Sequence, residues 1–319
     1  MKNLATIILA MSGFASAQSY APLPGEAGST AIHKDSSIII TWATNVTVQR
    51  GPMDIAQPGN GNVTYGTNAD AIGSANESVV SLGDGGSAII TFASPIINGA
   101  GPDFAVFENG FADNYIELAF VEVSSDGINY FRFPSVSEAP TSPQLTNFSY
   151  SDCRYFNNLA GKYRANYGTP FDLQELSGEV GLDINAITHV KLIDVVGFVD
   201  PTYGTQDSQG NYINDPYPTA FPSGGFDLDA VAVIHEGTQG TNEKFISNVR
   251  IYPNPSSGIF YVKTSETGSF SIFDATGNLV ISASFLNDFS IDLTSFQKGI
   301  YILQINNGSG VYVERLNKI

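Results

Sequence analysis

No stretch of this chain holds the 3.6-residue apolar period of a helix for more than a turn or so; residues 171–176 are expected to make one short helical turn. The apolar residues come instead in short runs rich in β-branched and aromatic side chains, each ending at Gly, Pro, Asn or Asp. Such runs occupy 36–42, 87–92, 104–108, 116–124, 130–133, 187–196 and 228–235. A second series follows at 259–262, 269–273, 279–281, 290–293, 300–305 and 311–316, broken by Pro255-Ser-Ser-Gly258, Thr276-Gly-Asn278 and Asn306-Asn-Gly308. Within 119–134, Ala119, Val121 and Val123 share one face of a strand, and Asp126-Gly127 supplies the positive φ of a hairpin turn before an aromatic strand returns. The pattern predicts an all-β protein. With 42% apolar residues and 14% charged, the chain has enough apolar surface for a real core.

Charge divides the chain. It carries 14 Lys and Arg against 31 Asp and Glu, a formal net charge of −17, so it has no basic stripe with which to neutralise nucleic-acid phosphates. Six acids and six bases lie at or after Thr241, whereas residues 18–240 hold 25 acids against seven bases. The boundary between these parts coincides with 237–242, which has linker composition and no apolar periodicity. The expected organisation is a signal peptide over 1–17, a body over 18–240, a linker over 241–248 and a second domain over 249–319.

The leader rests on Lys2, an apolar run over 4–11 that is too short to span a bilayer, and the small residues Ala15-Ser16-Ala17, with cleavage expected before Gln18. No Cys follows that run to take a lipid anchor, and no later stretch reaches the ~18 apolar residues of a membrane helix. Export is the expectation. The single cysteine, Cys153, excludes an intrachain disulfide and is assigned no chemistry.

Two parts of the sequence resemble known families. Val249-Arg-Ile-Tyr-Pro-Asn-Pro255, Gly258, Ile272-Phe-Asp-Ala-Thr-Gly-Asn-Leu-Val280, Ile291-Asp-Leu293, Lys298-Gly-Ile-Tyr301 and the basic end at Arg315 and Lys318 resemble the type A C-terminal sorting domain of the type IX secretion system. That resemblance implies Sec export to the periplasm, a small immunoglobulin-like β-sandwich read by an outer-membrane translocon, and a cell-surface or extracellular destination. In the body, the Val-Ser-x-Asp-Gly-x-Asn-aromatic hairpin at 123–130, Val190-Lys-Leu192 and Asp227-Leu-Asp-Ala-Val231 resemble the galactose-binding-like (discoidin or F5/8-type) jelly roll. The span from Asp103-Phe-Ala-Val-Phe-Glu-Asn-Gly110 to Phe226-Asp-Leu-Asp-Ala-Val231 is similar to a family of bacterial cell-surface proteins of uncharacterised role.

The candidate chemistry is acidic and aromatic. Carboxylates gather at strand ends and loops, at Asp103 and Glu108, Asp194 and Asp200, Asp207 and Asp215, Asp227 and Asp229. Calcium takes six to eight hard oxygens, and in an exported domain without disulfides it would offset like-charge repulsion. Asp103, Glu108, Asp200, Asp227 and Asp229 are therefore the expected ligands of structural calcium. The run 207–215 alternates oxygen donors like a calcium loop but lacks the sixth-position Gly and closing Glu of an EF-hand.

The irregular segment 198–225 offers Tyr203, Tyr212, Tyr217 and Phe221 as a platform for a sugar face, and 134–170, with Tyr163 and Arg164, is expected to form the opposite wall. There is no G-x-S-x-G, H-E-x-x-H, P-loop or C-x-x-C, so no catalytic residue is assigned. These features point to a non-catalytic surface protein binding a carbohydrate or another extracellular small molecule. Alternatives are an accessory to an outer-membrane receptor for a nutrient such as a corrinoid, a glycoside hydrolase with paired carboxylates, and a structural adhesin.

Overall fold

The computed structural model describes residues 19–237, 249–265, 267–306 and 311–319. The expected leader over 1–17 and linker over 241–248 lie outside the described residues. The chain divides into two compact units, 1–238 and 239–319, and the all-β class holds in both.

In the first unit two antiparallel sheets share one core. One runs in the order Ile32–His33, Tyr167–Phe171, Phe104–Glu108, Asp227–Val233, Thr41–Trp42, with Val80–Ser81 also pairing along Asp227–Val233. The other runs Leu159–Ala160, Ala119–Ser124, Ile187–Asp194, Ser87–Ile96, Asn45–Gln49, with Phe131–Arg132 on the free side of Ala119–Ser124. Because strand side chains alternate in direction, register sets which residues meet. Val46, Ile90, Val190 and Val123 line up across the second sheet, and Val233, Phe104 and Phe171 across the first. All are buried in one cluster, so the two sheets face each other as a β-sandwich.

The outer face of the first sheet is covered as well. Ala105, Phe107, Ala230 and Ala232 are buried there with Ile32 and Ile234, and Trp42 packs on Phe107 at 5.3 Å between ring centroids. Burial on both faces explains why Asp227–Val233 is buried at every position and carries no polar residue from Ala230 on.

The hairpin expected at Asp126-Gly127 is present. Gly127 has φ 75°, and an added Cβ would stand 2.8 Å from the His189 ring. Asp126 accepts from the N–H groups of Ile128 and Asn129, and these bonds hold its carboxyl well below the usual range. The short helical turn is Leu173–Leu176, a 3-10 helix whose N-cap Asp172 accepts from the Gln174 N–H.

The second unit is a smaller sandwich. Arg250–Tyr252, Ile259–Lys263 and Phe289–Asp292 form one sheet; Leu279–Phe285, Gly268–Asp274, Gly299–Asn306 and Val311–Lys318 form the other. Phe260, Val262 and Ile291 from the first pack with Phe270, Ile272, Leu303, Ile305 and Leu316 from the second. The last strand is fixed at its end by a buried lysine. Lys318 Nζ donates to the carbonyls of Leu293 and Thr294, at 2.7 and 3.0 Å, and to that of Phe296. Ile319 donates its N–H to the Ser256 carbonyl, and Ser256 donates to the Asn317 carbonyl.

Candidate functional site: an acidic cleft with an aromatic rim

Strand pairing brings five carboxylates to one end of the body. Phe104–Glu108 ends at Glu108, which lies opposite Leu228 in the strand that Asp227 opens. On the facing sheet, Ile187–Asp194 ends opposite Ala119, and Glu117 lies two residues before that strand begins. Asp215 arrives from the long 198–225 segment and accepts a 3.4 Å hydrogen bond from the Leu118 N–H. All five are buried, Glu108 most of all at 1% exposed.

Their oxygens are unequally satisfied. Asp194 accepts from the N–H groups of Phe226 and Gly85 at 2.7 and 2.9 Å, and Asp227 from the Ser81 hydroxyl. Glu108 Oε2 accepts from the Gly110 N–H at 2.7 Å, an approach that a side chain at 110 would block, since its Cβ would lie 2.8 Å from that oxygen. Glu108 Oε1 and Asp215 Oδ1 have no hydrogen-bond partner.

Among the described residues, no Lys, Arg or His forms an ion pair with any of the five. The Arg50 guanidinium spends its donors on the carbonyls of Tyr65, Gly66 and Ser81, although its charge favours ionised Asp227. Burial therefore dominates. It pushes Glu108, Glu117, Asp194 and Asp215 well above the carboxylate range, helped by their like-charged neighbours. Asp227 is pushed up to about 7 by burial, against the opposing pull of Ser81 and Arg50.

Glu108, Glu117 and Asp227 form the floor of a cleft of about 380 Å³. Its walls come from both irregular segments: Asn147 and Phe148 from 134–170, and Thr219, Phe221, Ser223 and Gly224 from 198–225. Asn109, Gly110, Phe111 and Tyr115 complete it. The two segments are tied together behind the cleft, where Gln144 Nε2 donates to Asn214 Oδ1 and Asn214 Nδ2 donates to the Pro140 and Pro143 carbonyls. The rim is aromatic and exposed, with Phe111 at 67%, Phe148 at 70% and Phe221 at 44%, and the Phe111 ring lies 4.3 Å from that of Tyr115.

The six aromatic and basic candidates read from the sequence do not assemble as one platform. Phe221 lies on the cleft rim. Tyr217 is buried against Phe198, with its hydroxyl donating to Asp54, and the Tyr203 ring also lies against Phe198, at 6.1 Å between centroids. Tyr212 pairs through its backbone with Gln206 in a small turn. Tyr163 is buried with its hydroxyl on Thr30, and Arg164 is spent on Asp113 at 2.8 Å and on the Tyr167 ring. Phe111 and Phe148, which no local pattern singled out, supply the exposed rings instead.

Of the expected metal ligands, only Glu108 and Asp227 meet. Asp103 is saturated by the Gly99 and Leu173 N–H groups and by His235, at 2.7 Å each. Asp229 accepts from the Asn76 and Glu77 N–H groups, and Asp200 is closed on Thr202 in its own turn. Asp207, at the head of the calcium-like run, accepts from the N–H groups of Ser137, Gln209 and Asn211. These carboxylates already serve backbone donors, and among the described residues they do not join Glu108 and Asp227 in a group of three or more. The floor has the hard-oxygen chemistry calcium prefers. Even so, among the described residues no group of three or more His, Cys, Asp or Glu side chains is arranged to hold a metal ion, and a calcium centre does not fit them as they stand.

A larger cleft of about 560 Å³ lies near Leu23, Pro140 and Cys153, but its charged groups are mutually paired: Arg154 lies 2.6 Å from Asp152, and Asp113 faces Arg164. Burial pushes the Cys153 thiol up to about 11, which removes it from thiolate chemistry.

Comparison with known proteins assigns the tail. Residues 250–318 match the family described as secretion system C-terminal sorting domain, that of the type IX system. This tail engages the type IX secretion machinery, and the protein is exported to the cell surface or beyond. Among the described residues no helix is long and apolar enough to cross a membrane.

The match covers 69 of 319 residues and leaves the body unassigned. No curated protein matches the chain. Among solved structures, a Faecalibacterium prausnitzii β-glucuronidase is similar at 14% identity and TM-score 0.23, over 93% of this chain and 47% of that one. A Ruminococcus gnavus β-glucuronidase with uronic isofagomine gives 11% and 0.23, over 94% and 45%, and a biofilm-associated protein BSP domain 11% and 0.21, over 77% and 50%. The chain spans about half the length of these structures, and at such scores the likeness carries no argument.

Proposed function

We propose that the body is a non-catalytic ligand-binding module presented outside the cell, and that the acidic cleft with its aromatic rim holds an extracellular carbohydrate. The observation that carries this reading is the exposure of Phe111, Phe148 and Phe221 around one mouth, with Asn109, Asn147 and Ser223 between them. Exposed rings gathered at a concave, polar-lined site suit the apolar face and hydroxyls of a sugar. The hairpin and closing strand that resemble galactose-binding-like domains support the same ligand class. A glycan array run with the whole exported protein and with Phe111→Ala and Phe148→Ala tests the proposal. Binding lost in both variants is expected, and absence of binding to any glycan would sink it.

One observation favours a second reading. Two carboxyls held above their usual range, Glu108 and Glu117, line the same cleft, as acid catalysis would require. Turnover of a polysaccharide that disappears in Glu117→Gln would replace binding with hydrolysis.

A further inference from the structure

Among the described residues, the floor of the cleft has one acceptor without a donor. Glu108, Glu117 and Asp227 all line it, Glu108 is 1% exposed, and its Oε1 has no partner in the folded protein. A buried carboxylate oxygen without a hydrogen bond costs free energy unless something brings it a donor. No basic side chain among the described residues does so for any of the floor carboxylates. Whatever enters the cleft meets that deficit first.

Three kinds of partner could meet it. A metal ion needs its ligands drawn to one point, and no three of these side chains are so arranged. A neutral sugar can donate hydroxyl hydrogen bonds but brings no positive charge to favour ionisation of these buried carboxyls. A primary ammonium brings three donors and one positive charge, and a single unpaired carboxylate oxygen such as Glu108 Oε1 is enough to seat it. The rings above favour the same group, since Phe111, Tyr115, Phe148 and Phe221 present π-faces that attract cations and pack on apolar ring faces. Asn109, Asn147 and Ser223 remain for hydroxyls. The 25 acids against seven bases in residues 18–240 set a field that draws cations toward the body.

We infer that the cleft selects a sugar bearing a free primary amine, its ammonium seated on Glu108 Oε1 with Glu117 and Asp227 beside it in the lining, and its ring face on the exposed phenylalanines. This rests on the carbohydrate-binding reading above and narrows it to amino sugars.

Calorimetric titration of the whole exported protein tests it, with a trimer of β-1,4-linked glucosamine as probe and its N-acetylated counterpart as comparison. At least tenfold tighter binding of the free amine is expected. Glu108→Gln and Glu117→Gln should each remove that preference while leaving the N-acetylated trimer unaffected, and Phe148→Ala should weaken both sugars. The fold of each variant is checked by Trp42 fluorescence, and the wild-type comparison stands by itself should a glutamine variant misfold.

Equal affinity for the two trimers overturns the inference while leaving carbohydrate binding intact. Failure of every sugar overturns both readings. Spermidine binding as tightly as the amino sugar also overturns it, because the amine would then be recognised without the ring. So does calcium binding that disappears in Glu108→Gln, because the floor would then be a metal site.

Discussion

Asp227 makes the stability of the body depend on pH in a direction opposite to ordinary acid unfolding. In the unfolded chain its carboxyl ionises near the ordinary value of 3.8; in the folded protein burial carries it to about 7. A carboxyl whose folded pKa is raised contributes its stability below the unfolded value and loses it as pH rises through the folded one. The difference corresponds to about 4 kcal/mol by pH 8, a large fraction of a domain's total stability. Asp227→Asn removes the titration and keeps an acceptor for the Ser81 hydroxyl.

The variant should match the wild type near pH 4 and exceed it by up to about 4 kcal/mol at pH 8. Urea unfolding followed by the single tryptophan is the assay. Trp42 lies opposite Ala232 in the strand that Asp227 opens, so it reports on the same sheet. A gap between variant and wild type that stays constant from pH 4 to pH 8 would refute the reasoning, as would a wild type that gains stability over that range.

Other expectations follow from single contacts. Lys318→Met bares three carbonyls at about 1–3 kcal/mol each, comparable with the whole stability of a unit this small. Hydrogen exchange should accelerate across Gly299–Asn306 while the Trp42 transition stays put, and Arg315→Ala, at an exposed position, should change neither. Because the described residues offer no ready metal centre, melting midpoints in millimolar calcium and in chelator should coincide, and a rise with calcium would show the floor closing on an ion. Buried Cys153 should resist iodoacetamide in the native protein and react in urea, which mass spectrometry reads directly; native labelling would contradict its burial.

Features with a local cause were visible in the sequence. The Asp126-Gly127 hairpin, the strand runs and the turn after Asp172 each depend on neighbours within a few positions. The tail was legible because its turns and strands recur in fixed order over a short span. The cleft was not, because its floor joins residues as distant as Glu108 and Asp227 through strand pairing. Glu117 has no local mark, and Phe111 and Phe148 are lone rings in irregular segments. Conversely, Asp200 looked free for a metal but is closed by Thr202 two residues on, a D-x-T pattern that local reasoning can recognise as a turn. Counting acids at strand ends does not separate the two ends of the sandwich, because Asp103 and Glu108 flank one strand from opposite ends, and only backbone donors reveal which carboxylates are already spent.

The lysine that closes the small sandwich has a consequence for how cargo is labelled. Its ammonium bolts residue 318 to carbonyls made more than twenty residues earlier. A polypeptide released by the ribosome anywhere short of that point possesses most of the strands but not the bolt. The fold of the sorting tail thus leans on residue 318, and a chain cut before it loses the tie between that strand and the turn at 293–296.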